Sequence, residues 1–193
     1  SRGSARRAVP AGAALVVGAS LPIRDVDLAT SARPGVRILA NRGAAGIDGT
    51  VATTLGVAVA SEVPAWSLLG DHTLLHDANG LLLQPGTPTP ACTLVVVDNG
   101  GGHVFDALPP GRHTPALGRL FTAPHGRDLA ALGRFHGLGV AEVSDRPDLA
   151  AALAERARDG RGGALVVARV DAEADARLRR ATVDAVTAAV AGV

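Results

Sequence analysis

The residue types best suited to chemistry fall at the ends of two neighbouring apolar runs. Gly70-Asp71 closes one, and Asp98-Asn99-Gly100-Gly101-Gly102 closes the next. Asp71 and Asn99 are 28 residues apart. That is the length of one strand-helix-strand unit, which delivers both side chains to one sheet edge. A carboxylate, an amide oxygen and a backbone carbonyl released by a glycine turn are hard oxygen ligands, suited to Mg²⁺ that also holds phosphate oxygens. The glycines let the backbone approach a diphosphate closely. A plainer arrangement uses the same residues: Asp71 caps the next helix and Asn99-Gly100 makes a simple turn. Arg24 and Arg42 follow two other apolar runs. A guanidinium is a planar fork matched to a carboxylate, so both suit an acidic substrate; Arg24 equally suits a surface ion pair with Asp25 or Asp27. His76, Asp77 and His125 have no spacing that singles out a proton-transfer partner, and they read as helix or loop polar residues. His103, beside the glycine turn, is the more interesting imidazole. Cys92 reads as an inert small hydrophobe.

Positioning these groups requires a parallel sheet. Short β-branched runs alternate with Ala/Leu-rich stretches from end to end, which predicts an α/β fold with about six parallel strands and helices on both faces. The expected strands are Ala14 to Val17, Val36 to Leu39, Trp66 to Leu69, Thr93 to Val97, Val140 to Val143 and Ala164 to Val170. Helices are expected at Thr50 to Ala60, Leu74 to Leu83, Leu129 to Phe135, Asp148 to Arg158 and Ala174 to Val190. In the last of these, Leu178, Ala181, Ala185, Val186, Ala189 and Val190 form one stripe, which predicts packing on the sheet. Ligands of such sheets bind outside the carboxyl ends of the strands, and Ser20 to Asp25, Asn41 to Asp48, Gly70-Asp71 and Asp98 to Gly102 all follow strands.

Composition narrows the chemistry. The 193 residues carry a formal net charge of +1, too little field to make nucleic acid or a membrane surface the main partner. All 19 cationic residues are Arg. Without Lys there is no Schiff-base chemistry and no phosphate loop ending in Gly-Lys-Ser/Thr. A single Cys forms no intrachain disulfide, which points to a reducing compartment, by default the cytoplasm. No run approaches the roughly 20 apolar residues of a membrane span. Arg6-Arg7 followed by Ala13 to Val17 imitates a signal peptide, but Pro10 and Gly12 interrupt it and a short buried strand accounts for it. A chain with no Met lacks an initiator, so a fragment or processed piece is expected.

Four motifs in order carry a family resemblance. They are Ser20-Leu21-Pro22-Ile23-Arg24-Asp25; Asn41-Arg42-Gly43-Ala44-Ala45-Gly46-Ile47-Asp48-Gly49; Gly70-Asp71-His72 running on to Leu81; and Asn99-Gly100-Gly101-Gly102-His103-Val104-Phe105. The third and fourth resemble the thiamine-diphosphate signature, Gly-Asp-Gly followed by Asn-Asn, with His72 in place of a Gly and Asp98 in place of the first Asn. Together the four resemble the 2-succinyl-5-enolpyruvyl-6-hydroxy-3-cyclohexene-1-carboxylate synthases (MenD) of menaquinone biosynthesis, and only their last third. The resemblance implies a thiamine-diphosphate-binding fold over residues 14–193, with 1–13 a linker remnant and the pyrimidine-binding and middle domains not represented. It implies that Asp71, Asn99 and the Gly101 carbonyl hold Mg²⁺ (or Mn²⁺), with Gly70 beside the thiamine diphosphate and Ile47 as the wedge that bends it. It makes Ser20, Arg24 and Arg42 carboxylate contacts for 2-oxoglutarate and isochorismate, and Phe105 and Leu108 an apolar wall. For Ile47, Phe105 and Leu108, ordinary core packing is the competing reading. The implied reaction decarboxylates 2-oxoglutarate and adds the resulting succinyl carbanion to isochorismate. The implied assembly is a homo-oligomer, dimer or tetramer, with the active site between subunits. Its essential glutamate sits in an N-terminal domain of a partner subunit, so the isolated chain is expected to be inactive and to bind the cofactor weakly. A different thiamine-dependent carboligase or decarboxylase, such as an acetolactate-synthase relative, and a degenerate structural domain are the alternatives.

Overall fold

A computed structural model describes residues 8–29, 34–41, 43, 46–108 and 115–191. They divide into two compact units. The first takes the described residues up to Asp98 together with Arg127–Arg169; the second takes those from Asn99 to Gly126 and from Val170 onward.

The first unit holds one six-stranded sheet: β1 (Ala14–Val17), β2 (Arg37–Leu39), β3 (Ala65–Gly70), β4 (Cys92–Asp98), β5 (Gly139–Val143) and β6 (Gly163–Arg169). The order is β2-β1-β3-β4-β6-β5 and every pairing is parallel. All six expected strands form, each within about a residue of its expected ends. The helices are α1 (Leu21–Ala29), α2 (Thr50–Ser61), α3 (Asp71–His76), α4 (Leu129–Phe135) and α5 (Arg146–Asp159), with a 3₁₀ turn at Ala78–Leu81. Right-handed crossovers assign α2, α3 and α4 to one face and α1 and α5 to the other. Alternation along the strands agrees. Leu94 and Val96 of β4 and Leu165 and Val167 of β6 share a core with Val51, Leu55, Leu74 and Leu129 from α2, α3 and α4. Thr93, of opposite parity, meets Arg156 of α5. With both faces covered, β4 is buried at all seven residues, which is why it reads as a continuous apolar run.

Three elements depart from the expected pattern. The segment after β1, which is not among the expected helices, is the helix α1; Pro22 sits in its first turn, where a missing N–H costs nothing. The expected helix Leu74 to Leu83 starts earlier, at Asp71, and breaks at Asp77 into a 3₁₀ turn. Asp77 is turned to another use, its carboxylate accepting the Ala52 N–H in the first turn of α2 at 2.9 Å. The apolar stripe of the last helix does not pack as expected: Leu178, Val186 and Val190 are exposed.

The second unit contains a 3₁₀ turn at His103–Ala107, a π-helical turn at Gly118–Thr122 and α6 (Ala172–Ala191). The Gly102 N–H donates to the Thr122 carbonyl at 2.7 Å, and the Phe105 and Phe121 rings lie 5.3 Å apart at 58°. At the amino end of the chain, Val9 and Ala13 are buried.

Candidate functional site

Because the sheet is parallel, every strand delivers its following residue to one edge. β1 leads leftward to β2 and the chain returns rightward to β3, so the order reverses between β1 and β3, the crevice where open α/β sheets bind ligands. Ser20 lies just beyond β1 and Asp71 just beyond β3, on the two sides of that crevice.

Asp71 is the first residue of α3 and only 2% exposed. Its Oδ1 accepts the His72 N–H at 2.6 Å. Gly70 pairs with Val97, so the residues that follow them, Asp71 and Asp98, emerge side by side. Their carboxylate oxygens approach within 4.8 Å, and Asp98 is also buried. Two buried carboxylates this close repel one another, a cost that a nearby cation offsets. Asp98 meets one on its other side: the Arg169 Nη1 donates to its Oδ2 at 3.4 Å, while Nη2 donates to the Glu142 carboxylate at 2.8 Å. The Glu142 hydrogen bond holds the Arg169 guanidinium even more firmly protonated than usual. Arg134 continues the series, 3.8 Å from Glu142 and 3.8 Å from Asp128. The carboxyl of Asp128, which caps α4 by accepting the Ala131 N–H at 2.9 Å, is held below its ordinary range chiefly by that bond.

On the β1 side, Ser20 has φ +73°, a left-handed conformation uncommon for a residue with a side chain. Arg24, exposed on α1, folds back so that its Nη1 donates to the Ser20 carbonyl at 2.6 Å. These two expected substrate contacts are therefore in direct contact with each other. Arg42 lies outside the described residues. Ile47 is half-buried just ahead of α2, where its carbonyl accepts the Thr50 hydroxyl at 3.5 Å. Asn41, in the same segment, accepts the Thr53 hydroxyl at 3.3 Å.

Asn99, Gly101, Phe105 and Leu108 belong to the second unit. Gly100 has φ +80° and Gly101 φ +159°, conformations that favour glycine. A Cβ on Gly101 would stand 2.5 Å from the Thr122 carbonyl oxygen, whereas one on Gly100 would meet nothing within 4 Å. The turn is thus packed tightly at Gly101 and leaves open space for a Cβ at Gly100. The Gly101 carbonyl accepts the His103 N–H at 3.0 Å, and its two lone pairs allow a second contact. The His103 Nδ1 lies 2.8 Å from the Asp106 carboxylate. Phe105 is half-buried against Phe121, while Leu108 is exposed. His76 is exposed, and Cys92 is buried with its thiol pushed up to about 11 by that burial.

Arg169 and Glu142 were not apparent as site residues from their sequence neighbourhoods. The only local signal is that Arg169 ends the last strand, as Asp98 ends β4. Among the described residues no helix is long and apolar enough to cross a membrane.

No protein-family model matches the chain. Curated relatives do. The 2-succinyl-5-enolpyruvyl-6-hydroxy-3-cyclohexene-1-carboxylate synthase of Thermobifida fusca is 46% identical over 186 residues, covering 94% of this chain and 32% of that protein. The synthase of the same name from Paenarthrobacter aurescens is 42% identical over 187 residues, 93% of this chain and 32% of its own length. That from Kineococcus radiotolerans is 48% identical over 164 residues, 82% and 28%. Among solved structures, benzoylformate decarboxylase from Polynucleobacter necessarius superimposes with a TM-score of 0.66 at 19% identity, covering 89% of this chain and 32% of that one; this similarity supports the fold. The chain spans about a third of the length of the curated relatives it matches, and, by its order of strand-end motifs and its identity to them, it belongs to the 2-succinyl-5-enolpyruvyl-6-hydroxy-3-cyclohexene-1-carboxylate synthase family.

Proposed function

We propose that this chain is the C-terminal, diphosphate-holding part of a thiamine-diphosphate-dependent synthase that decarboxylates 2-oxoglutarate and joins the remaining four-carbon unit to isochorismate. The observation that carries the reading is the buried carboxylate of Asp71 at the end of β3, on one side of the topological switch of the sheet, in a chain 46% identical to a synthase of that name.

The donor chemistry fits the group. Asp71 supplies a buried carboxylate oxygen, Asn99 an amide oxygen and Gly101 a carbonyl, a set of hard ligands suited to Mg²⁺ or Mn²⁺ and not to a soft metal. The open side of the Gly100 turn accepts a bulky anion close to the backbone. Bound here, thiamine diphosphate supplies the electron sink that decarboxylation of a 2-oxo acid requires. The chain's own residues do the rest by position and charge. Asp71 fixes the divalent ion, and Ile47 shapes the apolar side of the cofactor pocket. Arg24 and Arg42 neutralise substrate carboxylates, Arg24 by releasing the Ser20 carbonyl to which it now donates. Phe105 and Leu108 exclude water from the reacting carbons. The glutamate that activates the cofactor, and the subunit that supplies it in a dimer or tetramer, belong to the other two-thirds of the family's length. The buried lone Cys92 suits a reducing, cytoplasmic setting.

The test is an assay of the full-length enzyme carrying this chain, with 2-oxoglutarate, isochorismate, thiamine diphosphate and Mg²⁺. Consumption of 2-oxoglutarate that depends on isochorismate and on the metal, and is lost in Asp71→Asn, supports the reading. Turnover of pyruvate in place of 2-oxoglutarate overturns it in favour of an acetolactate-type carboligase.

A further inference from the structure

Asp98 poses an electrostatic problem that Asp71 does not. A carboxylate next to Asn99 puts a negative charge where a diphosphate has to approach. The structure resolves it within the first unit. Asp98 and Arg169 are register partners at the carboxyl ends of β4 and β6, and side-chain parity places both on the face covered by α4. The Asp98 Oδ2 accepts from Arg169 at 3.4 Å; Arg169 donates to Glu142 of β5 at 2.8 Å; Arg134 of α4 lies 3.8 Å from Glu142 and from Asp128. Charge alternates at every step from the buried strand end to the exposed cap of α4. The Asp98 side chain is 8% exposed and that of Arg169 50%, so the inner member is desolvated and depends on its partner far more than a surface pair does.

We propose that Arg169 is a positioning residue for cofactor binding: it draws the Asp98 carboxylate toward β6 and offsets its charge, leaving Asp71 to face the cation and its diphosphate. Glu142, which Arg134 also meets at 3.8 Å, holds the guanidinium in that place. The inference rests on the diphosphate-site reading above and adds to it a residue 71 positions distant from Asp98 in sequence.

The experiment uses the full-length enzyme and two binding readouts, Mn²⁺ alone by electron paramagnetic resonance and thiamine diphosphate with saturating Mg²⁺ by calorimetry. Arg169→Gln is expected to raise the thiamine diphosphate dissociation constant about ten-fold, the size of losing a charge-assisted hydrogen bond, without weakening Mn²⁺, because the unmasked carboxylate is itself a metal ligand. Asp98→Asn added to Arg169→Gln is expected to bring thiamine diphosphate affinity back to within about two-fold of wild type, a coupling that independent sites do not show. Unchanged thiamine diphosphate affinity in Arg169→Gln overturns the proposal, and so does joint loss of both ligands that Asp98→Asn does not restore. Asp71→Asn is the separate control: if it leaves metal-dependent thiamine diphosphate binding intact, the diphosphate-site reading itself fails, whatever Arg169 does.

Discussion

Replacing Gly101 by Ala isolates what the glycine turn contributes. The new Cβ would sit 2.5 Å from the Thr122 carbonyl oxygen and 3.0 Å from its Cγ2, where ordinary contact begins at 3.4 Å. Thr122 would have to retreat by about 0.9 Å. Its carbonyl already accepts the Gly102 N–H at 2.7 Å, and the same retreat takes that bond beyond hydrogen-bonding distance. Overpacking costs about 1–3 kcal/mol, the lost hydrogen bond about 1 and the φ of +159° about 1–2. The turn therefore leaves its present course, and if the Gly101 carbonyl is a metal ligand, re-forming it falls on the binding step. At about 1.4 kcal/mol per ten-fold, thiamine diphosphate affinity in the full-length enzyme should fall by at least about 100-fold. Gly100→Ala is the matched control. It carries the same kind of backbone penalty at φ +80° but meets no atom within 4 Å, so a loss of about ten-fold or less is expected. Calorimetric titration with Mg²⁺ present separates the two. Equal losses in the two variants, or wild-type affinity in Gly101→Ala, would refute the claim that contact with Thr122 fixes this turn for ligand binding.

Asp71→Asn keeps the shape and removes the charge; it should lower thiamine diphosphate affinity by about 100-fold in Mg²⁺ and leave the circular dichroism of the sheet unchanged, whereas binding that is equally tight in Mg²⁺ and in EDTA before and after the change would remove Asp71 from the metal site. The Ser67 hydroxyl in β3 is fully buried without a hydrogen-bond partner among the described residues. Ser67→Ala should raise stability by about 1 kcal/mol in urea unfolding, and a lowered midpoint would show that the hydroxyl is satisfied. Cys92, with its thiol held at about 11 against an ordinary 9.0, should resist a disulfide reagent at pH 8 until the chain is unfolded. Because the unfolded thiol ionises first, this group's contribution to stability is complete below pH 9.0 and falls as the pH rises toward about 11; rapid labelling of the native protein would place the thiol at the surface.

The strands were legible because they lie between two helical layers. Cys92-Thr93-Leu94-Val95-Val96-Val97 is apolar at nearly every position, and only burial on both faces produces that pattern in a strand. The last helix shows the limit of the same logic. Its stripe of Leu178, Val186 and Val190 has helical period, but period reports only that one face is apolar and does not say what covers it; these residues are exposed. The chain spans about a third of its relatives' length, so a face that the remainder of a protein covers reads the same as one that packs on its own sheet. The break at Asp77 was hidden for a related reason. Asp77 serves the amino end of α2 through Ala52, and a cap given to a helix that begins 27 residues earlier leaves no mark in the local spacing.

The site divides along the same line. Asp71, Asn99 and the glycines stand out as candidates because residue type, strand end and unit length coincide in a short stretch of chain. Ser20 and Arg24 sit close enough in sequence for their contact to be foreseen once α1 is known to be a helix, since a side chain four residues on reaches back one turn. Asp98 is different. Read alone, it looks like damage to the signature, a carboxylate where an amide is usual. Only the strand order, which places β6 beside β4 although β5 intervenes in the chain, brings Arg169 to it. A charge that seems misplaced in one dimension is matched in three, and the match lies in the register of two strands, which no local window of sequence contains.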